Sequence, residues 1–138
     1  MILFDINIFV DVLSARQGFD KSAQLIDLVE KGELEGVISS LTIPILWYIT
    51  SQSIGFHDAK IIVEEIIKGF IIQALDEEII RNSFKSEMKD FEDSIQYYSA
   101  KSYGCKSIIT RNKRDFEGID DIVIKSPEEF LEERNLKT

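Results

Sequence analysis

Short apolar runs alternate along this chain with longer stretches whose apolar residues recur at helical spacing. The runs "MILF", "GVIS", "FIIQAL", "KSIIT" and "IVIK" are too short for helices and predict buried strands. Between them, "IFVDVLSA" reads as a short helix. "DKSAQLIDLVEKG" reads as an amphipathic helix that starts near Asp20, carries Leu25, Leu28 and Val29, and stops at Gly32. "SLTIPILWYITSQSIG" is a helix if Pro44 lies in its first turn, where a missing N–H costs nothing. "HDAKIIVEEIIKG" is the next helix, and "DEEIIRNSFKSEM" follows with Ile80, Phe84 and Met88 spaced to share one apolar face. "SIQYYSAKSYGC" is a helix stopped by Gly104. In "SPEEFLEE", Ser126 is the expected N-cap, Pro127 the first helical residue and Glu129 the partner in a capping box. Strands alternating with helices need crossover connections. The expected fold is therefore α/β, a mainly parallel central sheet of about five strands flanked by helices. Residues 1–138 are expected to form a single domain, since no linker, repeat or low-complexity segment interrupts the pattern.

Composition narrows the class. At 138 residues, with 44% hydrophobic and 30% charged, the chain has the make-up of a folded domain able to bury a core. No apolar run reaches the roughly 20 residues needed to cross a bilayer, so no membrane association is expected. Asp5 and Asp11 interrupt the first apolar stretch and no basic region precedes it, which speaks against a secretory leader. A single cysteine, Cys105, permits neither an internal disulfide nor a cysteine-rich zinc site, and a cytoplasmic setting is expected. The net charge of −9 argues against a nucleic-acid coat protein. It is unevenly spread, however. No acid occurs from Ser94 to Arg114, where Lys101, Lys106, Arg111, Lys113 and Arg114 all fall. Arg111, Lys113 and Arg114 are the candidates for guiding a polyanion.

In parallel sheets, functional groups gather beyond the carboxyl ends of the strands. Asp5 ends the first strand, Asp115 lies just past the fourth, and "DFED" (Asp90, Glu92, Asp93) opens the helix leading into that fourth strand. Each acid alone is explained by local structure: Asp5 and Asp90 as N-caps, Glu92 and Asp93 as favourable charges at a helix start, Asp115 as a loop residue. Brought to one sheet edge, they would repel one another unless a cation or protons neutralised them. Oxygen donors without a His or Cys cluster favour Mg²⁺ or Mn²⁺. His57 lacks a second histidine and Cys105 follows a helix stop, so both read as structural. Trp47, Tyr48, Tyr97 and Tyr98 are flat enough to stack on bases, but helix packing or subunit contact explains them more simply.

The segments "DINIFVDVL", "ISSLTIPILWYIT", "DFEDSIQYYSAKSYGCKSIITRNKRDF" and "SPEEFL", in this order and spacing, resemble a PIN domain over nearly the whole chain. The likeness is strongest to the compact VapC-like ribonuclease toxins of toxin–antitoxin pairs. It implies a Mg²⁺- or Mn²⁺-dependent endoribonuclease acting on RNA, a small antitoxin as partner, and a homodimer. Carried over by resemblance, Asp5, Asp93 and Asp115 are the catalytic and metal-holding acids. Asn7, Asp90, Thr110 and Asn112 border the pocket. The family places a further glutamate early in the helix after the second strand, where this chain has Ile45. That substitution implies weakened or absent cleavage. The alternative is a PIN-like binding or scaffolding protein that does not cut; a phosphoaspartate receiver fits the motif order poorly.

Overall fold

The computed structural model describes residues 1–16 and 18–136. Its strands are β1 (Ile2–Phe4), β2 (Gly36–Ser39), β3 (Ile71–Gln73), β4 (Ser107–Ile109) and β5 (Val123–Lys125). Between and after them run α1 (Ile6–Leu13), α2 (Phe19–Glu30), α3 (Thr42–Ile54), α4 (Phe56–Ile66), α5 (Glu77–Lys85), α6 (Phe91–Tyr103) and α7 (Pro127–Leu136). The sheet has the order β3-β2-β1-β4-β5 and every pairing is parallel, as the alternating pattern predicts. The order reverses around β1, which pairs with β2 on one side and β4 on the other.

Successive residues of a strand point to opposite faces, and here both faces are covered. Phe4, Ile38 and Ile109 pack with Ile8 and Phe9 of α1, Leu25 and Val29 of α2, Leu46 of α3, Val63 of α4 and Leu131 of α7. Their neighbours Leu3, Val37 and Ile108 pack on the other face with Ala100 of α6, Cys105, Phe116 and Ile122. Burial pushes the Cys105 thiol up to about 11, so it is an inert packing group. His57 is exposed near the start of α4. Among the described residues no helix is long and apolar enough to cross a membrane.

Two local expectations are corrected. Ile80, Phe84 and Met88 do not share an apolar face. The Asp76 side chain accepts from Ile79 N at 2.9 Å and so starts α5 at Glu77, which turns Ile79 and Ser83 inward. Ser83 tolerates burial because its hydroxyl donates to Ile79 O at 2.8 Å. Extended Ser86 ends the helix, leaving Phe84 74% exposed, while Met88 packs on the core from the following link. Asp115 is also not in an open loop: Lys113–Phe116 form a 3-10 helix anchored by buried Phe116.

Both ends of the site-bearing helices follow sequence signals. Gly104 takes the left-handed conformation (φ 84°) and ends α6, its N–H donating to Ala100 O and Lys101 O. At α7, Ser126 N donates to Glu129 Oε1 at 2.9 Å and Glu129 N donates to Ser126 Oγ at 3.1 Å, closing the capping box. Ser126→Ala should lower the unfolding free energy by about 1 kcal/mol, read as a lower urea midpoint with unchanged slope. An unchanged midpoint would mean that tertiary packing alone holds the start of α7.

Candidate active site

Adjacent parallel strands bring Asp5 and Thr110 together, one residue past β1 and one past β4. The backbones are tied where Asp5 N donates to Ile109 O at 3.0 Å. Asp5 is 2% exposed and both its oxygens are engaged. Oδ1 accepts from Ile6 N at 2.8 Å, which makes Asp5 the N-cap of α1, and Oδ2 accepts from the Thr110 hydroxyl at 2.8 Å. Having donated its only proton, Thr110 Oγ1 accepts from Asn7 Nδ2 at 3.2 Å and from Asn112 N at 3.1 Å. Asn7 Oδ1 accepts from Arg111 N at 3.1 Å, and Asn112 Nδ2 donates to Asp115 Oδ1 at 3.1 Å. One chain of polar contacts therefore runs from Asp5 to Asp115 through Asn7, Thr110 and Asn112.

The start of α6 supplies the other acids. Asp90 is its N-cap, its Oδ1 accepting from Asp93 N at 3.1 Å, and it is exposed. Glu92 and Asp93 are half-buried. The Asp93 carboxyl is raised to about 7, first by loss of water and then by the charges of Asp115, Asp5, Asp90 and Glu92. Burial raises Asp5 to about 6 against the hydrogen bonds from Thr110 and Ile6, with Glu92 and Asp115 adding to the rise. Burial, then Asp90, raises Glu92 as well. Asp93 and Asp115 line a common cleft of about 300 Å³ together with Lys89, Asp90 and Arg114.

These carboxylates are electrostatic neighbours and not a finished cage. Among the described residues, no group of three His, Cys, Asp or Glu side chains stands close enough to wrap a metal ion. The donor set nevertheless fits a hard divalent cation. It is all oxygen, burial and then neighbouring negative charge make Asp5 and Asp93 resist ionisation, and Mg²⁺ commonly keeps several waters on only one or two carboxylates.

Ile45 lies in the second turn of α3 and is half-buried. Ile43 and Trp47 pack on the core, whereas among the described residues Ile45 belongs to neither apolar cluster. It stands three residues after Thr42, on the same face of α3. Thr42 accepts from Gln96 Nε2 of α6 at 3.3 Å, and Gln96 stands three residues after Asp93. The α3 turn that carries Ile45 thus faces the helix that carries Glu92 and Asp93.

The basic window is largely occupied elsewhere. Arg111 pairs with Asp11 at 2.9 Å and with Glu128 of α7, and Lys113 pairs with Glu129 at 3.0 Å. Lys101 is drawn to Asp121 at 3.1 Å. Asp11 is 5% exposed and also accepts from Ser22 Oγ at 3.2 Å, so Arg111 binds α1 to α7 across the site's back. Gly18 makes room for it: a Cβ there would stand 2.6 Å from the guanidinium, and its φ of +84° already disfavours a side chain. Of the three candidates for guiding a polyanion, Arg114 is the one that lines the acid cleft.

Lys89, at the cleft, and Asp11, paired with Arg111, are not among the candidates that the sequence offers, and Glu92 is offered only as part of the "DFED" cluster. Glu92 stands four residues before Gln96, on the side of α6 that meets Thr42 of α3. Nothing in the sequence distinguishes Asp11 from a surface acid; its partner is 100 residues away.

Two outcomes are expected. Arg111→Ala leaves buried Asp11 without its cation and should cost about 3 kcal/mol of stability, seen in urea unfolding. A loss within error would mean that the pair only replaces interactions with water. The second outcome concerns pH. Asp5 and Asp93 titrate near 6 and 7, above the ordinary 3.8, so the metal-free fold binds protons more tightly than the unfolded chain. Their contribution is full below about pH 4 and is lost as pH rises through 6 and 7. Thermal melts should show falling stability from pH 5 to pH 8, and Asp5→Asn, which keeps an acceptor for Thr110, should flatten the trend. A wild-type melting profile flat or rising over that range would contradict the assigned repulsion.

A PIN domain family model matches residues 1–114. The chain is 27% identical over 140 aligned positions to Ribonuclease VapC1 of Aquifex aeolicus (strain VF5), with 97% of this chain and 95% of that one covered. In three dimensions it is similar to VapBC2 from Rickettsia felis bound to a DNA fragment from its promoter, with a TM-score of 0.71 at 16% identity, covering 91% of this chain and 98% of the other. DNA-bound VapBC from Salmonella typhimurium gives a TM-score of 0.70 at 20% identity, covering 91% and 97%. With sheet order, helix placement and the family match in agreement, this chain belongs to the PIN domain family.

Proposed function

We propose that this protein is a VapC-like endoribonuclease that hydrolyses RNA phosphodiester bonds with the help of Mg²⁺ or Mn²⁺, and that a small antitoxin restrains it. The observation that carries the reading is the gathering of acids at the carboxyl end of the sheet: hydrogen bonds link Asp5 through Thr110 and Asn112 to Asp115, which lines one cleft with Asp93. The relative named a ribonuclease and the neighbours that are toxin–antitoxin complexes support it. A cytoplasmic homodimer accompanies the proposal on the family likeness.

When bound, the cation would activate water and neutralise charge growing on the phosphate. Asp93 and Asp115 would hold it from the cleft, and Asp5 would add charge from beneath, its orientation fixed by Thr110 and Ile6. Asn112 positions Asp115, Asn7 steadies the backbone at Arg111, and Asp90 sets the first turn of α6 that presents Asp93. Arg114 and Lys89 would receive the RNA phosphates at the cleft. With isoleucine at position 45, half-buried Glu92, next to Asp93 on α6 and close enough for its charge to act on Asp5, is the acid proposed to supply the missing charge.

The second reading, a PIN domain that binds without cutting, is favoured by Ile45 alone. Purified protein with Mg²⁺ and a mixed single-stranded RNA pool separates the two. Cleavage should appear, stop with chelator, and fall roughly 10- to 100-fold in Glu92→Gln. Calorimetric Mn²⁺ titration should show weaker binding for Glu92→Gln and tighter binding for Ile45→Glu. Absent cleavage with retained RNA binding selects the non-cutting protein. Metal affinity indifferent to Glu92 but raised by Ile45→Glu would leave the acidic set one member short.

A further inference from the structure

Resting on the reading that this cleft receives RNA, we propose that Phe84 and Phe91 form a stacking platform for an unpaired base of single-stranded RNA beside the acids. Phe84 is 74% and Phe91 43% exposed, and their rings meet with centroids 4.7 Å apart and planes tilted by 40°. Side chains of this size are usually withdrawn from water, and two that touch only in part keep their outer faces wet. Their placement follows from the backbone. Asp90 caps α6 so that Phe91 is its first residue, and Ser86 ends α5 just after Phe84. Between them, the Ser86 hydroxyl accepts from Met88 N at 3.0 Å, and Met88 anchors the link on the core. The link is pinned inward at its middle while an aromatic ring stays outside at each end.

The surroundings select the occupant. Lys89 and Asp90 directly precede Phe91, Asp93 follows within the same turn, and these three line one cleft with Arg114 and Asp115. An exposed aromatic pair beside a cleft that sets Lys89 and Arg114 among the acids Glu87, Asp90, Asp93, Asp115 and Glu117 matches the parts of one nucleotide once a cation offsets those acids: base on the Phe91 ring, phosphate on Lys89 and Arg114, scissile bond towards the acids. A base inside a duplex already has both faces stacked, so the free ring selects an unpaired one. Trp47 and Tyr97 do not compete for this role. Trp47 stacks on Phe56 at 5.4 Å in the α3–α4 pair, and the Tyr97 hydroxyl is bound to Asp121 at 2.7 Å.

The test measures fluorescence anisotropy of a short labelled single-stranded RNA with the full chain, in Ca²⁺ at a concentration at which denaturing gels show the strand uncut. Phe91→Ala should weaken binding by roughly 5- to 100-fold, the range expected for losing one base–aromatic stack. Phe91→Trp should retain affinity, whereas Phe91→Leu, apolar but without a π face, should fall with alanine. The dependence of affinity on salt should keep its slope, because no phosphate contact is removed. An abasic strand of the same length should bind wild type and Phe91→Ala alike. Undiminished binding of base-bearing RNA by folded Phe91→Ala or Phe91→Leu, checked by thermal melting, overturns the platform alone. So does a Phe84→Ala variant that loses a dimer in sedimentation but keeps its RNA affinity, since the rings then belong to a second copy. If wild type binds no RNA, the ribonuclease reading and the platform fall together.

Discussion

The hydrogen bond from the Thr110 hydroxyl to Asp5 is the contact on which the site depends. It spans 105 residues of sequence and joins the carboxyl ends of two neighbouring strands. Because Thr110 is fully buried and spends its proton on Asp5, its oxygen can only accept from Asn7 and Asn112, which fixes both amides. The register of β1 on β4, Phe4 beside Ile109, places the two residues side by side. A slip by one position would separate them and send Phe4 and Ile109 to opposite faces of the sheet. Packing of the core and positioning of Asp5 are therefore one requirement.

Charge is sorted around that contact in an unusual way. The chain is acidic, yet much of its basic window is paired with acids outside the cleft: Arg111 with Asp11 and Glu128, Lys113 with Glu129, Lys101 with Asp121. The acids at the sheet edge instead face one another, and burial first, then their mutual charge, raises Asp5 to about 6 and Asp93 to about 7. On the proposed reading, a bound cation would neutralise this arrangement. Arg111 contributes indirectly, by binding α1 to α7 behind the loop that carries Thr110, Asn112 and Asp115.

The contact between α3 and α6 shows how position 45 can vary without disturbing the fold. Thr42 and Gln96 meet across this seam, and Gln96 Oε1 is buried there without a protein partner. A seam with a spare polar atom can take up water. Ile45, outside both core clusters, is on its edge, and so position 45 can change chemistry at little expense to packing.

Local signals in the sequence determined the elements and their caps. Gly104 ended α6, Ser126 and Glu129 closed a capping box, and Asp5 and Asp90 began helices, because each depends on atoms within a few residues. The alternation of elements determined a parallel sheet, since crossovers allow little else. The likeness to PIN domains pointed to Asp5, Asp93 and Asp115 as a set. The limits appeared where a residue's role depends on phase or distance. Ile80, Phe84 and Met88 looked like one face, but the cap at Asp76 and the stop at Ser86 turned Ile79 inward and left Phe84 outside. Arg111 looked like a surface cation until Asp11 was placed beside it. Glu92 looked like a helix-start charge until burial and Asp5 surrounded it. Helix propensity and capping are read from near neighbours in the chain, but burial, ion pairing and the repulsion between acids arise from groups about a hundred residues apart, and only the folded sheet brings those groups together.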